Sequence, residues 1–476
     1  VGRYHTGFDF YAGYVQLHHL GPVKTLVVGN LKANFGLGLV IHPEIGLGKS
    51  ADVMNVVPRN SGLQKSSSTD EYNFLRGAGA TINVGRSEFS AFYSYKALDG
   101  DSTGTAFSYI RTDGLHRTVS TLSRKNRITM QVAGANWNYR FSNLYLGLTV
   151  IDTRLSRDLE PEQKPYNAFY FRGNHQLSGG LNYRFRFKKF LFFGEEATQS
   201  KGGFAVLNGV AVSPVSLVNL VILHRYYSKR YDVLLANAFA EGSKVNDEEG
   251  FYFGFEIHPI KCWKISAYAD GYSFPWLRYG VNHPSSGYDA LVAANFIPNK
   301  KVEMYWRFRY EQKEKNLQEA SITGFTGRYD LASARYWVSV LVNKRLTLKT
   351  LAEINRASDE KESPTFGWLL SQEASYMCKK IPLTFNVRCE WFDAVNYDNR
   401  IYSYERDVPS VFAVPMLYGC GGRWFGNCQW AVSKKISIWL KIAQTFYADR
   451  NTIGSDLELI NSNHKTDIHT VVRLRF

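Results

Sequence analysis

No stretch of this 476-residue chain approaches the roughly 20 consecutive apolar residues that a membrane-crossing helix needs, so helical spanning is excluded. Cysteine is scarce: Cys262, Cys378, Cys389, Cys420 and Cys428 make an odd set without metal-ligand spacing, which argues against a structural metal centre. A Cys420–Cys428 bridge needs the chain to double back at Arg423-Trp424; half-buried strand cysteines are the simpler reading. The chain begins at Val1 with no basic-then-apolar leader, so any signal peptide is expected to have been removed or to lie upstream. A phosphate loop is lacking too. Gly46-Leu-Gly-Lys-Ser50 has Pro43 where that motif needs glycine. His18, His19, His42, His464 and His469 are scattered without ligand spacing, so the sequence implies no metal and no cofactor. Ser462, His464 and Asp467 lie close along the chain, but catalytic triads are defined by spatial geometry, so a rim enzyme is only a minor reading and no catalytic residue is assigned.

What the chain has is aromatic and alternating. Phe, Trp and Tyr make up 15% of it, while the mean hydropathy is slightly negative, −0.27. A β-barrel can cross a bilayer at such hydropathy, because only every second strand residue must be apolar. In residues 302–310, Val302, Met304, Trp306, Phe308 and Tyr310 alternate with Glu303, Arg307 and Arg309. Leu181, Tyr183, Phe185 and Phe187 alternate with Arg184 and Arg186, and Ile436, Ile438, Leu440 and Ile442 with Ser437 and Lys441. Successive strand side chains point to opposite faces, so one face is oily and the other charged. A charge at mid-depth in hydrocarbon costs about 2–4 kcal/mol, so the charged face must be a hydrated lumen.

Short turns and long polar connections alternate along the chain, which suits a membrane barrel with short periplasmic turns and long extracellular loops. A soluble sandwich has no reason to sort its loops this way. The expected fold is therefore all-β, a large closed antiparallel transmembrane barrel of about 20–22 strands filling residues 1–476. The count nearest the pattern is about 21. If the final strand descends, residues 7–18 descend as well, and closing an antiparallel seam then needs one more strand, missed or upstream of Val1.

Residues 34–72 do not fit as a strand. Their first part is Gly-rich and apolar, so we expect a lumenal constriction built on Gly36, Gly38, His42, Gly46, Gly48 and Lys49; an external loop packed on the rim is the alternative. Basic pairs crowd the short turns: Lys188-Lys189, Lys300-Lys301, Lys344-Arg345, Lys379-Lys380 and Lys434-Lys435, with Lys261 and Lys264 at another. If the turns share one rim, they form a periplasmic ring of cations, continued inward by Arg184, Arg186, Arg307, Arg309, Arg473 and Arg475. The net charge of +15 is consistent with contact to anionic lipid or an acidic partner. Tyrosines alone do not establish a stacked nucleic-acid channel.

Two resemblances sharpen the reading. The last segment, with Ile468, Thr470, Val472, Leu474 and Phe476 on one side, resembles the final strand of bacterial outer-membrane barrels, whose terminal aromatic helps the insertion machinery recognise them. Gly7-Phe-Asp-Phe-Tyr-Ala-Gly13, Lys24-Thr-Leu-Val-Val-Gly-Asn30, Asn34-Phe-Gly-Leu-Gly-Leu39, Gly48-Lys-Ser-Ala-Asp52, Arg76-Gly77 and Ser90-Ala-Phe-Tyr-Ser94 resemble, in order and spacing, the barrel of a Bacteroidota outer-membrane family. Members of that family carry helix-hairpin-helix repeats ahead of the barrel, related to those of competence DNA-binding proteins. This chain lacks that region, and with it the basis for a DNA-binding role. The resemblance implies an outer-membrane location, outer-membrane lipid and the insertion machinery as partners, and a place among other envelope proteins. The expected function is a plugged or gated pore for a solute or polymer, with a structural or docking subunit of an envelope complex as the alternative.

Overall fold

The computed structural model describes residues 9–43, 48–56, 61–317, 326–395 and 397–476. Among these, 23 strands belong to one sheet. Short strands Gly62–Lys65 and Ala106–Arg111 pair onto the ends of longer neighbours; without them, twenty-one strands follow one another along the chain. Gly62–Lys65 corrects the expectation that residues 34–72 hold no strand. Of residues 7–18, the part before Asp9 lies outside the described residues, and the strand itself is Tyr14–Leu20.

Tight turns join the strands at alternate connections. Between Leu75–Val84 and Ser87–Thr103, Val84 faces Ser87 across a two-residue turn, and Gly85 takes φ +59°, the left-handed value that such hairpin turns require. Lys188 occupies the same region at φ 52° between Gly173–Phe187 and Phe190–Gln199.

The predicted alternation sets the two faces. Phe308, Ile354, Phe366, Trp368 and Leu370 are 46–59% exposed on one face, a broader apolar surface than a soluble protein carries. On the opposite face Glu311, Glu353, Lys441 and Thr445 are buried. No helix among the described residues is long and apolar enough to cross a membrane. The chain is thus an all-β protein of the large antiparallel β-barrel class, with one face of its sheet apolar and the other charged.

Two compact units divide the chain. The first comprises residues 1–255, 269–288 and 320–326. Its core is an inner filling: Phe35, Leu37, Leu39, Val40, Ile41 and Val53 are buried, together with Phe193, Tyr227, Tyr231 and Tyr252 of the strands and loops around them. The second comprises residues 256–268, 289–319 and 327–476. There Leu369, Phe392 and Tyr447 pack with Ile401 and Leu417 of a long connection.

That packing amends the simple picture of long loops outside. The connections 228–247 and 397–418 fold against the inner faces of their own units, burying Asp232, Asp247, Asn399, Ser403 and Glu405. Their polarity reads as solvent exposure in the sequence, yet ion pairs and hydrogen bonds satisfy most of it in the fold. All five cysteines are free. The bridge between Cys420 and Cys428 fails because strand Gly419–Trp430 runs straight through Arg423-Trp424, paired on both edges.

Candidate functional site

In the first unit, the chain leaves strand Val23–Asn34 and runs across the inner face. Glu195, on strand Phe190–Gln199, accepts hydrogen bonds from the backbone N–H groups of Leu37 at 2.5 Å and Leu39 at 3.1 Å. Gly36 makes this approach possible. Its φ is +63°, and a Cβ there would stand 2.7 Å from the Glu195 carboxylate. Tyr231 donates to the Leu39 carbonyl at 2.7 Å, Asn237 N–H to the Gly38 carbonyl at 2.9 Å, and His42 N–H to the Leu235 carbonyl at 3.0 Å. The crossing segment and the 228–247 connection therefore form one hydrogen-bonded filling.

Lys49 anchors its far end. Its ammonium lies 2.5 Å from Asp270 and 2.6 Å from Glu241, with its side chain almost wholly buried. Asp270 also takes a bidentate pair of bonds from Arg225, at 2.7 and 3.0 Å, and Arg225 reaches Glu248 at 2.5 Å. Glu248 in turn accepts from the backbone N–H groups of Glu241 and Gly242. Such a network is costly to break, because removing one member leaves buried charge uncompensated. Of the six residues expected to build the constriction, Gly36, Gly38 and His42 are in the buried crossing and Lys49 is in the ion-pair network. Gly48 stands beside Lys49 at φ +59°, and Gly46 lies outside the described residues.

The second unit has a matching arrangement that the sequence did not reveal. Glu405, on the 397–418 connection, pairs with Arg423 and, at 2.8 Å, with Lys441. Asp407 takes Lys441 at 2.8 Å and His469 at 2.9 Å. Arg388 meets Glu373, Glu390 and the Tyr404 carbonyl. The missed signal was the run of three consecutive charges Glu405-Arg406-Asp407 within the loop, facing strands that carry Arg388, Arg423 and Lys441 at inner positions.

The expected inner arginines separate into two groups. Arg309 binds Asp289 through two bonds of 3.0 and 2.8 Å, and Arg307 reaches Glu353 at 3.1 Å. These are paired, not free to meet a solute. Arg473 lies over Trp439 at 4.9 Å, while Arg184 is half-buried near the short-turn end of its strand. Arg186 and Arg475 are exposed at strand ends, so they belong to the rim and not to the depth of the face. The basic pairs all occupy short turns or the bends beside them. In the second unit Lys300-Lys301, Lys344-Arg345, Lys379-Lys380 and Lys434-Lys435 fall at alternate connections, which an antiparallel meander puts at one end. Lys188-Lys189 occupies the equivalent kind of turn in the first unit. Phe476 is fully exposed.

The candidate triad does not assemble. Ser462 and His464 share a 2.7 Å hydrogen bond, but Asp467 contacts Lys465 and Arg423 instead. His464 and Asp467 are three apart on one strand and so point to opposite faces.

No family model matches the chain, and no curated protein matches it. Solved structures similar to it are outer-membrane proteins. The siderophore receptor PirA from Acinetobacter baumannii is 7% identical, with 83% of this chain and 70% of that one covered at a TM-score of 0.45. OccAB4 from the same organism is 10% identical, with 82% and 97% covered at 0.35. FpvAI, solved with pyocin S2, is 9% identical at 0.42, and the match spans 65% of that chain's length.

Proposed function

We propose that the chain is a plugged or gated outer-membrane pore through which a solute or polymer passes, with the 34–72 segment as its constriction. The observation that carries this reading is the seat of Leu37 and Leu39 on Glu195, which holds apolar backbone across a face that alternation makes hydrated. A purely structural barrel has no need to bring an early segment across its interior and lock it with Lys49. Single-channel recording in planar bilayers tests it. The parent protein should show small or rare openings, and deletion of residues 36–56 should give large, stable ones. A barrel that stays silent in both forms overturns the pore.

A second reading is a structural or docking subunit of an envelope complex. It draws on the repeated basic turns, which suit an acidic partner or anionic head groups. Envelope partners that co-purify from native membranes, and are lost when Lys379-Lys380 and Lys434-Lys435 become Glu, support it; a barrel that always emerges alone removes it. The resemblance to the helix-hairpin-helix outer-membrane family belongs with this reading, since an upstream domain would add a second contact. Of its segments, residues 24–30, 76–77 and 90–94 sit in strands Val23–Asn34, Leu75–Val84 and Ser87–Thr103. The rim enzyme finds little support in the broken triad, and Ser462→Ala and His464→Ala should leave envelope phenotypes unchanged.

A further inference from the structure

At the short-turn end of the first unit, the inner face opens into a cavity of about 580 Å³, within the range of small-molecule sites. Its walls come from neighbouring strands in register. Glu88 faces Asn138, Asn138 faces Gly147, and Gly147 faces Asn182, so one tier across the sheet is made of polar side chains around a glycine. Two residues nearer the rim, Arg140 faces Tyr145 and Tyr145 faces Arg184, with Arg86 beside Arg140 through a 3.0 Å backbone bond. A row of amides thus runs alongside a row of guanidinium groups, one side-chain step apart.

Three further observations point to a ligand. Glu88 is the one carboxylate among the lining residues, and Lys24 occupies it. Lys24 is the extra residue of a bulge, where Val23 faces Ile82 and Thr25 faces Thr81, and the bulge takes its side chain out of the strand's alternation. The cavity's remaining cations therefore face it without a carboxylate lining it against them. Asn138 is 3% exposed, yet its side-chain carbonyl has no hydrogen-bond partner. That oxygen converges with the Asn182 carbonyl above Gly147, where a Cβ would stand 2.6 and 2.3 Å from them. An unmet acceptor beside a row of cations calls for one molecule that carries both a hydroxyl donor and an acid group. The rings of Phe141 and Tyr145 offer a flat apolar wall.

We infer that this cavity binds an anionic sugar, its carboxylate or phosphate on Arg86 and Arg140 and a hydroxyl on Asn138 of the amide tier. The inference deepens the pore reading, and rests on it for the role of the site, by naming the class of solute that meets the short-turn mouth. Arginine suits such an acid group because its planar fork bonds carboxylate or phosphate through two parallel N–H donors.

Isothermal titration of the full chain in detergent micelles tests the site apart from conduction. Glucuronate and glucose 6-phosphate are the probes; glucose and inorganic phosphate are the controls. Binding of either acid sugar, with glucose and inorganic phosphate each roughly tenfold weaker or worse, is the expected result. Glucuronate alone identifies a carboxylate ligand and glucose 6-phosphate alone a phosphate one. The Arg86→Ala/Arg140→Ala protein should lose at least about tenfold in affinity, and Gly147→Ala should lose affinity for the sugars while leaving any phosphate binding unchanged. Heat-modifiable gel migration reports whether each variant is folded. Heat from neither sugar, equal heat from glucose or inorganic phosphate, or a folded double variant that binds like the parent overturns the proposal. A barrel that binds but never conducts keeps the site and removes the pore, whereas one that conducts without binding does the reverse.

Discussion

Single residues carry much of the interior, and two make sharp predictions. Asp247 ends the 228–247 connection at φ 49°, with one carboxylate oxygen bonded by the Trp276 N–H at 3.0 Å and the other buried without a partner. Burial pushes its pKa up to about 6, against the help of that N–H and of Lys229 and Arg278. A carboxyl raised in this way favours the protonated form in the folded state, so the fold carries the full penalty above about pH 6 and loses it progressively as the pH falls from 6 towards 3.8. Asp247→Asn keeps the acceptor and tolerates the left-handed backbone. It should stabilise the protein by about 1 kcal/mol at pH 7.5 and flatten its melting temperature between about pH 4 and 6. Glu195→Ala should do the opposite. Two buried N–H groups lose their acceptor, which costs about 2 kcal/mol or more, and hydrogen exchange at Leu37 and Leu39 should accelerate. Neither residue was legible in the sequence. Arg225 shows why: its partners Glu248 and Asp270 lie 23 and 45 positions away, and nothing local marks a fully buried guanidinium.

At the scale of elements, the strands were readable and the connections were not. Alternation in residues 302–310 or 436–442 reports a face directly, because the side-chain period is 2. A polar connection carries no such code: Ser403, Glu405 and Asp407 look like solvated loop until Arg388, Arg423, Lys441 and His469 are brought opposite them. Glu405→Gln would leave Arg423 and Lys441 buried and under-compensated, at a cost of about 3–5 kcal/mol, visible as a lower unfolding temperature and faster proteolysis within 397–418. A second connection has a pH response. His116 bridges Asp9 at 2.9 Å and Asp99 at 2.8 Å. Burial works against its charged form, but the two carboxylates outweigh this and hold its pKa above the usual imidazole value. The bridge therefore stabilises fully below about pH 6.5 and is lost as the pH rises through the raised value. Exchange in residues 112–126 should quicken as the pH rises above about 6.5, beyond the intrinsic chemical rate, and His116→Gln should remove that step.

For the molecule as a whole, class and location could be read from alternation, aromatic content and the sorting of loop lengths, and the count of about 21 strands agrees with the twenty-one long ones described. In the first unit, residues 36–41 are too apolar for open solvent, and they are buried in the filling. The filling of the second was not legible, since its cost in buried charge is offset only by residues far along the chain. That distance has a consequence for biogenesis. Leu37 meets an acceptor 158 positions later and Val53 a tyrosine 199 positions later, so the crossing piece has nowhere to sit until the strands around Glu195 and Tyr252 exist. A nascent chain must shelter this greasy stretch through much of its synthesis, and any holdase that guards it should let go only once more than half of the polypeptide is available.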